Sequence, residues 1–221
     1  MAYQFVFGVD VRTIDEAPTA ALSIVEKEKD EQGAAHMYRV HRLACVPAED
    51  LEGLAESIQE EVAQRPYIGR TALIVTRNEP AGAALFEALD DRGLAPVGAE
   101  LSDGTSSGAG DQSDMQVTVG TRRALQALVD LHHEGRFDPS AVQNSDAAGA
   151  LMRTVRRLTD ASAEVNALDG VEAAAPDEQS YPAALMSTAL ACWFGREQTF
   201  DPTQRLKGEM EGIHPSSDGT R

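Results

Sequence analysis

Lysine, cysteine and aromatic residues are all scarce in this chain, and no apolar run in it is long. Only three of its 19 basic residues are lysines (Lys27, Lys29 and Lys207), set against 36 acids and a net charge of −17 over 221 residues. A Lys-poor, acid-rich surface suits concentrated salt, where screening removes the self-repulsion of such a charge. That reading points to a high-salt habitat and says nothing about function. The two cysteines, Cys45 and Cys192, lie far apart in apolar segments. A disulfide framework or a Cys-based zinc site is therefore not expected, and both are read as reduced core thiols. No apolar stretch approaches the roughly 18 residues of a membrane span. The opening MAYQFVFGVDV lacks the basic start and small-residue cleavage site of a signal peptide and reads as a strand, so a cytoplasmic location without membrane contact is expected. There is no G-x-x-x-x-G-K-[ST], no G-x-S-x-G, and no GxGxxG between a strand and a helix. These absences argue against an ATP-driven motor, a serine-hydrolase elbow and a dinucleotide fold.

What is present is a strongly patterned chain. YQFVFGVDV (3–11) has apolar residues on both faces, as a central strand covered on both sides would. TAALSIVEKE (19–28) and HMYRVHRLACV (36–46) extend it into a meander. A helix is expected near 48–64, a buried strand at TALIVT (71–76), a helix near 81–93 and a strand at APVGAEL (95–101). The Gly/Ser/Asp-rich stretch 102–114 reads as a mobile loop. Helices follow near 121–135, 145–159 and 182–195, with an irregular polar stretch at 160–180. This organisation predicts one domain over 1–196 and a C-terminal tail over 197–221. The order βββ-α-β-α-β-α…α predicts a mixed α/β, ribonuclease-H-like domain: a five-stranded sheet, order 3-2-1-4-5, with helices on both faces. Fold alone names no reaction, since nucleases, integrases and sugar kinases share this one.

Catalysis on that fold generally needs several converging carboxylates to hold two Mg²⁺ or Mn²⁺ ions roughly 3.5–4 Å apart. Asp10, late in the first strand, is the right residue type in the right place, because a charge on an apolar central strand is costly without a purpose. A strand-end Asp bonded to a turn is the plainer alternative. Charge along the chain is uneven: residues 115–159 hold six bases and four acids, the one stretch favourable to a polyanion. A solvated arginine face explains it equally.

Three stretches together carry a resemblance. GVDVRTIDEAPTAALSIVE (8–26), VGTRRALQALVDLHHEGRFD (119–138) and ALMSTALACWF (184–194) resemble, in order and spacing, segments of the nuclease domain of phage large terminase subunits. The first resembles an opening G-x-D-x-x-x-x-x-D-x-T-A-x-x-V-x-E, with an extra pair of residues before Thr19-Ala20. The second resembles a V-P-K-R-x-L…L…E-G-R-L segment, and the third a closing A-L-A-x-W helix. The likeness covers about residues 5–195. It implies descent from a phage or prophage, residence in the host cytoplasm, and a metal site built from Asp10, the end of the 71–76 strand and the start of the last helix.

The departures are as informative. Thr76 stands where the family has its strand-end Asp. Tyr181, Pro182 and Ala183 stand where it has H-D-D, and Thr121 replaces the Lys of V-P-K. One carboxylate and a hydroxyl cannot balance two divalent ions. The expected function is therefore a pseudo-nuclease with no cofactor, acting by binding in DNA packaging or on another phage protein. A working nuclease is the alternative, with Mg²⁺ or Mn²⁺ held by Asp10 and relocated acids at Glu79 and Asp177 or Glu178. A third reading is an acidic adaptor that keeps only the fold. If a DNA-facing role persists, Arg122, Arg136 and Arg153 are expected to border the Asp10 cleft. Oligomeric state is left open.

Overall fold

The computed structural model describes residues 4–14, 17–29, 36–102, 107–109, 116–162 and 181–197. Its strands are β1 (Gln4–Ile14), β2 (Ala17–Lys29), β3 (His36–Pro47), β4 (Thr71–Thr76), β5 (Val97–Ser102), β6 (Ser107–Ala109), β7 (Gln116–Gly120) and β8 (Phe137–Asp138). Its helices are α1 (Leu51–Val62), α2 (Pro80–Asp91), α3 (Thr121–His133), α4 (Ser145–Ser162) and α5 (Tyr181–Glu197).

The result is a mixed α/β fold around one sheet, ordered β6-β7-β5-β4-β1-β2-β3-β8. The five expected strands lie side by side as β3-β2-β1-β4-β5, but the sheet has eight strands, so its expected size and full order are corrected. The extra strands come from short segments whose pattern is weak. Three-residue β6 lies inside the stretch read as loop and pairs antiparallel with β7, which runs parallel to β5. Two-residue β8 pairs with Tyr38 and Arg39. A Gly/Ser-rich segment can still pair through its backbone, which composition does not report. Glu197, read as the start of the tail, belongs to α5. The rest of the 160–180 and 197–221 readings lies beyond Ser162 and Glu197, outside the described residues.

The sheet splits the core in two, following the period-2 alternation of β1. Phe5, Phe7, Val9 and Val11 face α1 and α2, where Ile58, Leu85 and Leu89 cover them. Val6 faces the other way, toward the layer formed by α3, α4 and α5. On that side α5 lies directly on β1. A Cβ added at Gly8 would sit 2.1 Å from the Ser187 carbonyl oxygen, so glycine is what lets helix and strand backbones touch. At the same level the Ser23 hydroxyl lies within hydrogen-bond distance of those of Ser187 (2.8 Å) and Thr188 (2.7 Å), each of which can also donate to the Ala184 carbonyl, so three hydroxyl protons are shared over four contacts. The polar groups brought in by this close packing are thus satisfied among themselves.

The direction of α5 follows from two contacts. Ser187 lies over Gly8, while the Lys27 ammonium donates to the Gly195 carbonyl at the level where β2 pairs with Gln4 of β1. The helix therefore runs antiparallel to β1. Four residues of helix and two of strand each span roughly 6 Å, which brings Ala183 level with Asp10. Cys192 is buried as expected, but Cys45 is exposed. It pairs with Ala21, itself opposite Asp10, in the row where the α5 layer ends.

Candidate functional site

Asp10 is 1% exposed. It lies on central strand β1, paired with Ala21 on one side and one residue beyond the last β1–β4 pair, Val9 with Val75, on the other. That puts Thr76, the next residue of β4, beside it. The Thr76 hydroxyl accepts from the Val11 N–H at 3.0 Å and is hydrogen-bonded to the Asp10 carboxylate. A hydroxyl can do both, accepting one bond and donating the other; a carboxylate at that position would offer no donor.

Arg12 lies two residues along the strand and therefore on the same face as Asp10. Its Nε is 2.6 Å from Asp10 Oδ2, and the Arg12 side chain stays about one-third exposed. Burial pushes the Asp10 carboxyl above the usual carboxylate range, outweighing the opposite pulls of Arg12 and Thr76, and the Glu79 charge adds to the rise.

The turn from β4 into α2 is pinned on both sides. Arg77 N–H donates to the Ala99 carbonyl, and Asn78 exchanges two 2.7 Å bonds with the backbone of Leu101. Glu79 is the N-cap of α2 but does not cap it. Its carboxylate instead accepts from the backbone N–H (2.7 Å) and hydroxyl (2.6 Å) of Thr13. A Cβ at Gly82 would lie 2.3 Å from the Thr76 carbonyl oxygen, so only glycine allows the helix to start this close to the strand end.

Asp10, Thr76, Glu79 and the first turn of α5 are thus gathered at one end of the central strands. Ala183 is fully buried there; the Pro182 side chain, Asp177 and Glu178 lie outside the described residues. Arg136 is not gathered with them. It is at the opposite end of the sheet, donating to the His36 carbonyl and paired with Glu134 at 2.6 Å, with its guanidinium over the Tyr38 ring. Arg122 and Arg153 are exposed on α3 and α4. Arg123, next to Arg122, is tied to Glu197 in the last turn of α5, the end remote from Asp10. The expected arginine border is corrected at Arg136, because β8 carries that residue to the β3 edge.

Sequence reasoning missed Arg12, Thr13 and Asn78. Arg12 was within reach of the strand alternation that identified Asp10. Thr13 and Asn78 act across 66 and 23 residues of chain, which no local pattern reports.

The described donors do not fit a pair of divalent ions. The Asp10 carboxylate holds a guanidinium and a hydroxyl, and the Glu79 oxygen facing β1 is held by Thr13. Among the described residues no three His, Cys, Asp or Glu side chains converge as metal ligands, and no helix is long and apolar enough to cross a membrane.

No protein-family model matches the chain, and no curated protein does. Among solved structures, one similar chain is the human cytomegalovirus terminase nuclease domain, in a form soaked with Mn. It is 10% identical over 89% of this chain and 85% of that one, with a TM-score of 0.46.

Proposed function

We propose that this chain is a ribonuclease-H-like pseudo-nuclease of phage or prophage descent, which acts by binding in DNA packaging or on a protein partner rather than by cutting DNA. The observation that carries the reading is the Arg12–Asp10 pair: a side-chain cation rests on the carboxylate that the terminase resemblance assigns to a metal. Thr76 supports it, since its hydroxyl bonds the same carboxylate instead of adding a second charge. A guanidinium neutralises Asp10 but activates no water and polarises no phosphate in the manner of a bound divalent ion.

Two measurements test this. Plasmid DNA incubated with the protein and Mg²⁺ or Mn²⁺ is expected to stay intact. Calorimetry is expected to show no tight Mn²⁺ binding until Thr76→Asp and Ala183→Asp are combined with Arg12→Gln. Cleavage by the unmodified protein that disappears in both Asp10→Asn and Glu79→Gln would overturn the proposal. It would favour the relocated-acid nuclease, a reading supported by the electrostatic coupling between Glu79 and Asp10.

A further inference from the structure

Strand β8 covers only Tyr38 and Arg39 of the twelve-residue β3. It ends at Pro139, which has no N–H to carry the pairing on, while Asp138 Oδ1 accepts the Ser140 N–H at 2.9 Å and holds a turn there. From Val40 onward that side of β3 has no strand neighbour among the described residues. Beside this stretch lies a cleft of about 420 Å³. It is bounded by His41 and Arg42 of β3, by Glu61 and Tyr67 on the α1 side, and by Gln143 and Asn144 of the segment that follows β8.

A β-bulge places the polar groups of this cleft. β2 pairs Ile24 with Arg42 but Val25 with Val40, so His41 is an extra residue. The alternation breaks there, and His41 and Arg42 both face α1: the His41 ring lies 5.9 Å from that of Phe5, and Arg42 is paired with Glu61 at 2.6 Å. His41 Nε2 is 2.5 Å from the carboxylate of Glu26, which is buried. Two carboxylates thus stand at or just behind the cleft against one guanidinium and one imidazole. Burial and the Glu61 charge push the Tyr67 phenol above its ordinary range, Arg42 pulls it back, and Glu26 adds to the rise. Hydrogen-bonding capacity is left over. The Tyr67 hydroxyl and the Gln143 side chain form no hydrogen bond among the described residues, and Asn144 uses only its Oδ1, on the N–H groups of Asp146 and Ala147.

We propose that the β3 edge takes an extended peptide segment of a partner protein as an added strand, with a basic side chain of that segment in the cleft. The outward backbone groups of a strand recur every second residue, roughly 6.5–7 Å apart, a period that another extended backbone matches. Strand β8 already pairs with this edge just before the cleft begins. Charge favours a basic side chain twice over, through Glu26 and Glu61 locally and through a net charge of −17 that draws a cationic partner. A bulge can also shield an edge from pairing; an edge shielded in that way binds no peptide. The proposal rests on the protein-binding arm of the proposed function, whereas the cleavage and Mn²⁺ measurements bear on the Asp10 site alone, so the two can fail separately.

Fluorescence anisotropy of the full chain with labelled, end-blocked peptides tests this. The probes are Val-Thr-Val-Lys-Val-Thr, the same peptide with Glu for Lys, and the same with Pro in place of each Val, which cannot pair. The Lys peptide is expected to bind about tenfold or more tightly than the Glu peptide, and the Pro peptide not at all. Hydrogen exchange of the β3 backbone N–H groups over 41–46 should slow when the Lys peptide is bound. Gln143→Trp, an exposed position where the larger ring fills the cleft, should weaken binding by about tenfold or more with an unchanged unfolding midpoint. Glu61→Gln should narrow the preference for Lys over Glu. No binding of the Lys peptide would overturn the proposal. So would equal binding of the Pro peptide, binding indifferent to Gln143→Trp, or slowed exchange in other elements but not in β3.

Discussion

The two faces of the sheet are built by different rules. The α1–α2 face is filled by large side chains, with Tyr67 edge-on to Phe5 and Phe7 at 4.9 and 5.2 Å between ring centres. The α5 face along β1 is filled by small ones: Gly8 against Ser187 and Ala191, with three hydroxyls bonded together beneath the helix. Large apolar side chains tolerate exchange, because neighbours can shift around them. Backbone resting on backbone has nothing to shift except a whole helix. The candidate site lies at the open end of the small-residue face, so its geometry is set by the less forgiving half of the molecule.

Adding atoms should therefore cost more on one face than exchanging them on the other. Gly8→Ala adds a single carbon and is expected to remove about 3 kcal/mol of stability in urea unfolding, because the new atom meets a carbonyl oxygen at 2.1 Å. A loss below about 1 kcal/mol would show that α5 can move. Ser23→Ala leaves Ser187 and Thr188 bonded only to the Ala184 carbonyl and should cost about 1–2 kcal/mol. Phe7→Leu, on the other face, removes a ring edge-on to Tyr67 but leaves a branched side chain in its place and should cost about 1–2 kcal/mol; a penalty equal to that of Gly8→Ala would erase the contrast.

The smallest effect has the opposite sign. Folding raises the Asp10 pKa above 3.8, its unfolded value. The native state therefore favours the protonated form, and the stability this contributes is lost as pH rises through the folded value. Asp10→Asn removes that loss. At pH 7 it should stabilise the protein, read as a rise in Tm, with the advantage vanishing as pH falls below the unfolded-state value. Destabilisation by Asp10→Asn at neutral pH would mean that the Arg12 pair outweighs burial.

How much of this was legible follows from which signals are local. The alternation of β1, the apolar run Thr71–Thr76 and the helical spacing in α3 and α5 report burial directly, and those elements lie close to where pattern places them. Asp10 beside Thr76 followed from the strand order together with the resemblance that aligned Thr76 with the strand-end acid. Strands β6 and β8 are held by backbone pairing and leave no side-chain period. Glu79 could be named as an acid near the site, but its capture by Thr13 depends on how the β4–α2 turn meets β1. Arg136 was misplaced because a two-residue strand, not its helix, decides where it goes.

The Arg12–Asp10 pair also has a kinetic meaning. Arg12 is joined to Asp10 by two residues of rigid strand, so the carboxylate experiences its counter-ion at an effective concentration of millimolar or more. A free metal ion must displace that tethered competitor at each encounter, whereas the guanidinium never has to diffuse back. Such a site answers to the length of one side chain rather than to the metal content of the solution. Shortening that side chain by Arg12→Ala would return Asp10 to ordinary mass action.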